Sequence, residues 1–392
     1  MYRSFGRWPG LSIGWPQGYP AAVLEHNFTG PAFTVGIEEE LMLLDPQTLN
    51  LVQAIECLLE ALPDQVSGQV KPELMQAVLE IATTPCDNLR AAGEQLTGLR
   101  EQVIGCADKQ GLAIGAAATH PFALCKEQAI TDRPRYHGLI EDLGYIASRE
   151  IIFGTHVHVA IEGPDRAIYV ADGIRRYLPL LLALSANSPF WEGERTGMMS
   201  TRVPVFRGFP RQGIPPHYGT WEIYSHRVEL MMRAGAIEDY SYLWWDVRPH
   251  PRLGTVETRV FDQQTRVEHT ASLASLVVCL AHGLCAAFDA GESMVEYPTE
   301  LVDDNKIRAA LRGIDGVLID FRAGKQVPAR ELAHRLLEQL APNAEELGCS
   351  AELEGVEDLL ANGTGAHRQL AAYERDGDLR SLVAEIVERS RP

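Results

Sequence analysis

Apolar and polar positions alternate along FTVGIEEELMLL, residues 33–44, with the two-residue period of a strand that has a buried face. Because successive side chains of a strand point to opposite faces, Glu38 and Glu40 share one face and Glu39 lies on the other. A carboxylate on a buried face needs a positive partner, which the local pattern does not supply for Glu39. The apolar residues on the face of Glu39 are Val35, Ile37, Leu41 and Leu43.

The same pattern predicts the elements along the rest of the chain. Predicted strands lie at about 112–118, 151–161, 242–247 and 255–262. Predicted helices lie at 87–110 with Asp87 as N-cap, at 164–185, at 269–288 and through the C-terminal quarter from about 303. Residues 1–30 are rich in Gly, Pro and aromatic residues without periodicity, which predicts an irregular arm. Residues 186–220 hold many Gly, Pro and Arg residues, which predicts one long loop. Strands mixed with helices, without regular βαβ spacing, indicate an α+β fold with an antiparallel sheet.

Glu38 and Glu40, converging on one strand face, suit a hard cation such as Mg²⁺, which prefers oxygen ligands. The alternative is a solvated edge strand whose acids oppose aggregation.

Glu73 and Glu80 lie seven residues apart in the apolar stretch 71–82. If this stretch is helical, two turns place both acids on one face, and an amphipathic helix with two solvated acids is the simplest interpretation. If Glu80 begins a strand, a turn at Pro72 would bring Glu73 beside it. Both interpretations remain open.

Gly154-Thr-His-Val-His-Val159 puts His156 and His158 on one strand face, a recognised spacing for metal ligands. The alternative is a pair of satisfied histidines on an exposed face. The glycine predicts a close approach to the backbone.

Glu257 and Arg259 also share a strand face, where they form either a salt bridge or a site for a cation and a phosphate oxygen. In the long loop, Arg195 and Arg202 suit an anionic nucleotide or substrate, unless this is simply a surface loop.

Composition excludes several classes of protein. The formal net charge of −18 argues against binding to nucleic acid or anionic lipid. Seven cysteines without a C-x-x-C pair indicate reduced thiols. We find no signal-peptide pattern and no segment that approaches the ~20 apolar residues of a membrane span, so we predict a cytoplasmic protein.

Together the candidate ligands form an oxygen-rich set with one imidazole, which favours Mg²⁺ or Mn²⁺ over zinc. Such ions beside arginines suit phosphoryl transfer from a nucleotide. The sequence has no Walker A motif, no G-x-G-x-x-G after a strand and no G-x-S-x-G. The set is Glu38, Glu40, Glu73, Glu80, His156 and Glu257.

The order of these motifs resembles the glutamate–cysteine ligase superfamily, and more closely its bacterial carboxylate–amine ligases of type 2. The resemblance rests on GIEEE at 36–40, an acid seven residues before EIAT at 80–83, GTH at 154–156 and TVETRVFD at 255–262. It covers about residues 31–392, which implies one catalytic domain there and leaves residues 1–30 as an arm outside it.

The resemblance implies a glutamine-synthetase-like fold, in which helices flank an antiparallel sheet curved into a funnel with metals on its inner face. It implies ATP and Mg²⁺ or Mn²⁺ as cofactors. By resemblance the metal ligands would be Glu38, Glu40, Glu73, Glu80, His156 and Glu257. Arg259 and Glu257 would be catalytic, and Arg202, Arg259 and His158 would bind nucleotide or substrate.

The implied reaction is ATP-dependent. The side-chain carboxylate of glutamate, or of a similar acid, becomes an acyl phosphate, and the amine of cysteine or another amine attacks it. We expect only weak activity with cysteine, and we expect a homo-oligomer with a dimer favoured. The competing hypotheses are a metal-dependent hydrolase built on His156 and His158, and a non-catalytic sensor of a nucleotide or amino acid.

Overall fold

A computed structural model describes residues 24–392. Residues 1–23 of the predicted arm lie outside the described residues, and residues 24–30 form neither helix nor strand. The described strands are β1 (Val35–Leu44), β2 (Val70–Pro72), β3 (Val78–Ala82), β4 (Ala113–Gly115), β5 (Gly154–Ala160), β6 (Phe190–Trp191), β7 (Glu194–Arg195), β8 (Gln212–Gly213), β9 (Trp244–Trp245), β10 (Val247–His250), β11 (Thr255–Asp262), β12 (Val317–Asp320) and β13 (Lys325–Pro328).

The described α-helices are α1 (Ile55–Ala61), α2 (Asp64–Ser67), α3 (Leu89–Lys109), α4 (Pro134–Leu143), α5 (Pro164–Ile174), α6 (Leu178–Ser185), α7 (Arg202–Phe206), α8 (Trp221–Arg233), α9 (Val267–Asp289), α10 (Thr299–Arg312), α11 (Ala329–Leu347), α12 (Ser350–Glu354), α13 (Val356–Asn362), α14 (Gly365–Asp376) and α15 (Leu379–Arg389). Within residues 24–392, five short 3₁₀ helices lie at Cys125–Glu127, Ala147–Arg149, Arg175–Tyr177, Tyr240–Tyr242 and Gly313–Asp315.

The main sheet has seven strands in the order β10-β11-β5-β1-β3-β2, with β4 also paired to β1. Every pairing in it is antiparallel, which confirms the predicted α+β class and antiparallel sheet. The strand β1 lies at the centre, because it pairs with β3, β4 and β5.

The alternation predicted for β1 is present in the structure. Val35, Ile37, Leu41 and Leu43 are buried in the larger apolar core. Glu38 and Glu40 lie on the opposite face and are only half-buried. The two faces of one strand therefore divide the protein into a packed side and a polar side.

Helix α9 packs against α3, α5, α11 and β5 on the packed side. By length and composition it could cross a membrane, so the expectation that no segment is apolar enough was wrong. Within its most apolar window 67% of the residues are buried inside the protein, as in the core helix of a globular fold.

Glu39, which faces the packed side, is fully buried and forms an ion pair with Arg100 of α3. The guanidinium is bidentate, since Nε and Nη2 donate to the two carboxylate oxygens at 2.6 and 2.8 Å. Thr270 of α9 donates a further hydrogen bond at 2.6 Å. Arg100 also donates to the carbonyls of Gln264 and Ser390, at 2.7 and 3.4 Å. This buried cluster joins β1, two helices and the C-terminal end of the described chain.

Several predicted boundaries differ from the structure. Helix α3 is capped by Asn88, whose side chain accepts a hydrogen bond from the Ala91 N–H, and not by Asp87. The predicted loop 186–220 contains α7 and the short strands β6, β7 and β8, which give its backbone hydrogen-bonding partners. The C-terminal quarter is not wholly helical, because β12 and β13 form a hairpin.

Replacing Glu39 tests whether its buried ion pair with Arg100 stabilises the packing of α3 on β1. Glu39→Gln keeps the shape of the side chain but leaves Arg100 charged and unpaired, which we expect to lower the free energy of unfolding by about 3–5 kcal/mol. Urea unfolding measures it. The control is Asp108→Asn, which breaks the half-exposed pair with Arg391 and should cost about 1 kcal/mol or less. Equal, small losses in both variants would contradict this role for Glu39.

Candidate functional site

Cross-strand register brings the predicted site residues together on the polar face of the sheet. Directly opposed residues of antiparallel strands project to the same face. Glu38 is opposite His156, and Glu40 is opposite Glu80. The next pair in the sheet, His158 and Glu257, is opposed in the same way.

These residues surround one cavity of about 360 Å³. Two of the predicted residues, His158 and Glu257, are not in its lining but lie directly behind it. Nε2 of His158 is 3.6 Å from a carboxylate oxygen of Glu38 and 3.8 Å from one of Glu257. The predicted residues that line the cavity are Glu38, Glu40, Glu73, Glu80, His156, Arg202 and Arg259.

Glu73 and Glu80 reach the cavity by the strand interpretation of their segment, and the amphipathic-helix interpretation was wrong. β2 ends at Pro72, the chain turns through Glu73, and β3 carries Glu80 back beside Glu40. Glu80 is buried and is paired with Lys71 of β2, whose Nζ lies 3.0 Å from a carboxylate oxygen. Because β2 and β3 pair antiparallel, the chain between them turns, and this turn brings Glu73 into the cavity with Glu80.

One half of the cavity is strongly acidic. Burial, and then repulsion from Glu38, raises the pKa of Glu80 to about 7 despite Lys71. Burial together with Glu80 and Glu40 raises the pKa of Glu73 well above its usual value. The pKa of Glu150, which also lines the cavity, rises to about 8 through burial and the neighbouring Glu40. These carboxylates repel one another, and a bound cation would relieve that repulsion.

The other half of the site is cationic. Glu257 is buried between two guanidiniums, with Arg248 Nε 2.5 Å from one carboxylate oxygen and Arg259 on the other. Although burial alone would raise it, these arginines hold the pKa of Glu257 well below its usual value. Arg259 lies where the register of β11 against β5 shifts between Thr258 and Phe261, an irregularity of the kind that redirects side chains beside active sites.

His156 lies between the two halves. Its Nδ1 is 3.1 Å from Glu38, and its buried Nε2 has no hydrogen-bond partner within residues 24–392. Burial, reinforced by Arg259, lowers the pKa of His156 and so favours the neutral imidazole. Glu38, His156 and Glu257 each offer a ligand atom, and these atoms lie within 4.8 Å of one another. Both histidines of the H-x-H motif are buried, so the exposed-face interpretation was wrong.

The two arginines of the predicted loop lie in different places, Arg202 in the cavity lining and Arg195 on the surface. Arg202 of α7 is buried against Gly154, where an added Cβ would come within 2.9 Å of the guanidinium carbon. This contact is the close approach predicted from the glycine, and the N–H of Gly154 also donates to Glu40. Arg195 is exposed and paired with Glu374, outside the cavity lining, so its predicted place beside the metal site was wrong.

The sequence analysis missed several residues that line the cavity. Lys71 and Arg248 follow from strand register, because each lies opposite a predicted residue, Glu80 or Glu257. Glu150 lies before β5, in a segment without periodicity, and only the folded chain places it here. The other missed lining residues include Arg135, Leu139, Ile152, Phe206, Phe209 and Trp244.

Comparisons with known proteins identify the class. The profile of glutamate–cysteine ligase family 2 (GCS2) matches residues 34–385. "Putative glutamate–cysteine ligase 2-1" of Rubrobacter xylanophilus is 41% identical over 369 residues, covering 94% of this chain and 98% of that protein. A protein named "Putative glutamate–cysteine ligase 2" in Sorangium cellulosum is 41% identical over 360 residues, covering 91% and 96%. The chain belongs to glutamate–cysteine ligase family 2.

Solved structures extend the comparison to the fold alone. A glutamate–cysteine ligase of Francisella tularensis in complex with AMP has a TM-score of 0.68 at 14% identity, covering 93% of this chain and 90% of that one. A bifunctional glutathione synthetase of Pasteurella multocida has a TM-score of 0.66 at 16% identity, covering 92% and 52%. The predicted family, the fold and membership of the ligase class are thus confirmed.

Removing one repelling acid should stabilise the protein and weaken its hold on a cation. In the absence of metal we expect Glu73→Gln to raise the free energy of unfolding by about 0.5–2 kcal/mol. Mg²⁺ should raise the melting temperature of the wild type more than that of the variant. Calorimetric melts with and without Mg²⁺ measure both effects. Glu374→Gln, at an exposed acid, is the control and should change neither. A destabilised Glu73→Gln with an undiminished Mg²⁺ response would show that this acid is structural.

Proposed function

We propose that this protein is an ATP-dependent carboxylate–amine ligase that works through an acyl phosphate. The acid would be glutamate, through its side-chain carboxylate, or a similar acid, and cysteine would be a weak acceptor. The observation that carries the proposal is one cavity with an acidic half beside a cationic half, formed by opposed residues of adjacent strands. Phosphoryl transfer needs both, since cations and guanidiniums together neutralise the charge of the phosphates.

The residues present fit Mg²⁺ or Mn²⁺. Carboxylates that raise each other's pKa and a buried imidazole nitrogen without a partner are suitable donors for a divalent cation. The cation would neutralise phosphate oxygens of ATP. Glu257 is also the partner of Arg248 and Arg259, so it would serve a cation best when Arg259 turns towards another anion. The proposed ligands are Glu38, Glu40, Glu73, Glu80, His156 and Glu257.

In the first step, an oxygen of the substrate carboxylate would attack the γ-phosphorus of ATP, and the bond to ADP would break. Arg259 would contact the transferring phosphoryl group, with Glu257 orienting its guanidinium. Arg202, buried beside the carbonyl oxygen of Arg259 at 3.4 Å, would hold a second anionic group, and His158 would support the same region.

In the second step, the amine nitrogen would attack the acyl carbon. The carbon–oxygen bond to phosphate would break, and the nitrogen would lose a proton. No side chain of the protein has to act as a nucleophile, because positioning and charge stabilisation carry the reaction.

We also propose a cytoplasmic enzyme that acts on small molecules, does not bind nucleic acid or membrane, and forms a homo-oligomer, with a dimer favoured. The net charge of −18 and the seven free cysteines, six of them buried, support the first part of this proposal. The family likeness supports the second.

ADP release tests the reaction. The purified protein is given ATP, Mg²⁺ and glutamate, and each amino acid and several amines are added in turn. We expect ADP formation that depends on the amine. Arg259→Lys and Glu40→Gln should each lower the rate at least about 10²-fold, because each removes charge stabilisation of the transferring group. Arg195→Lys and Glu374→Gln, both at exposed positions, are matched controls that should leave it unchanged.

Stability and metal content separate the competing hypotheses. Glu40→Gln should unfold at nearly the wild-type urea concentration, and unfolding of that variant would indicate a structural acid. Turnover without nucleotide in a zinc-containing protein would favour the hydrolase. Saturable ATP binding without any turnover would favour the sensor.

A further inference from the structure

One wall of the cavity is apolar and aromatic. Phe206 and Phe209 are buried with their rings 5.2 Å apart, and the ring of Trp244 stands edge-on to Phe209 at 5.7 Å. Leu139 of α4 and Ile152 extend the same lining. This wall, defined by these five residues, belongs to the same cavity as Glu40 and Arg259.

Most groups of the proposed substrates are too polar to bind favourably against an apolar wall. Phosphates and carboxylates gain nothing from apolar contact and are served by the arginines and acids. A wall of aromatic rings gains free energy when an apolar group covers it. In the proposed reaction two groups have that character: the adenine of ATP and the body of the attacking amine.

Position distinguishes these two occupants. Arg202 and Phe206 are the first and last residues of α7, and the guanidinium carbon lies 6.0 Å from the centre of the ring. The same guanidinium lies 3.4 Å from the backbone carbonyl of Arg259, and both arginines line the cavity, so the wall begins beside the arginines that would hold the anionic groups. The amine must come within bonding distance of the acyl carbon there. Adenine is separated from the γ-phosphorus by a ribose and two further phosphates, and so it belongs further away.

We propose that this apolar wall holds the body of the acceptor, and that the preferred acceptor is an amine with a branched or aromatic hydrocarbon body. This inference rests on the proposed function and specifies its substrate class. Cysteine, with only a methylene and a thiol, would leave most of the wall uncovered, which accounts for an expected weak activity with it. One methylene missing from a substrate that binds an apolar pocket lowers kcat/KM by about tenfold to 200-fold.

The experiment measures kcat and KM for ADP release with a graded set of amines. The set contains glycine, cysteine, leucine, phenylalanine, isoamylamine and phenethylamine, at saturating ATP, Mg²⁺ and glutamate. We expect kcat/KM for the best branched or aromatic amine to exceed that for cysteine at least tenfold. Trp244→Ala should raise the KM for that amine about tenfold or more and leave the KM for ATP within twofold. Phe209→Leu, which keeps an apolar side chain, should have a smaller effect, and Phe321→Ala, in the β12–β13 turn, is the matched control.

Three results would overturn the inference while leaving the ligase intact. The first is that cysteine or glycine is the best acceptor. The second is that Trp244→Ala raises the KM for ATP alone, which would assign the wall to adenine. The third is that Trp244→Ala changes neither the KM for the amine nor that for ATP. Absence of ADP release with every amine would count against the proposed function instead. In that case calorimetry with phenethylamine decides, using protein saturated with Mg²⁺ and a non-hydrolysable ATP analogue. Binding that Trp244→Ala abolishes would support an amine site, and absence of binding to the wild type would overturn it.

Discussion

Three consecutive carboxylates on the central strand, one fully buried and two half-buried, are the constraint on which the rest of the structure depends. Each buried charge needs compensation, and the strand directs neighbouring acids to opposite sides. Glu39 receives its compensation from within the protein, through Arg100 and Thr270. Glu38 and Glu40 face a cavity where acids outnumber the nearby cations at one end, and the proposed bound cation would supply the missing compensation. One side of β1 therefore serves stability, and the other lines the proposed site.

Strand register links these two roles. A shift of β1 by one residue would exchange its faces, placing Glu39 in the cavity and Glu38 and Glu40 among the apolar side chains under α9. One of these two acids would then take the place of Glu39 beside Arg100, and the other would be buried without a partner. The pairings of β1 with β3 and β5 that stabilise the sheet thus also fix which acid meets which histidine. A site built from cross-strand neighbours is as precise as the hydrogen bonding of the sheet.

The parts of the site that were predictable are those encoded by local periodicity. The shared face of Glu38 and Glu40 and that of His156 and His158 follow from alternation over a few residues. The antiparallel sheet follows from the lack of regular βαβ spacing along the chain. The partner of Glu39 did not, because Arg100 lies 61 residues away on a helix whose own pattern shows only amphipathicity. The position of Glu73 was ambiguous because the pattern of its segment is compatible with both a helix and a turn. Only the pairing of β3 with β1 decides between them. Glu150, Phe206 and Phe209 come from segments without a regular period, and tertiary packing alone brings them to the cavity.

The contacts of Arg100 and its neighbours also bear on how the chain assembles during synthesis. The hydroxyl of Ser390 accepts a hydrogen bond from the buried N–H of Ala116, and its carbonyl accepts one from Arg100, 290 residues earlier in the chain. At roughly 5–20 residues per second, translation separates Glu39 from these last contacts by tens of seconds. The core beside the central strand therefore stays incompletely closed until Ser390 has left the ribosome. Until then the nascent chain exposes apolar surface of the kind that makes folding intermediates prone to aggregation.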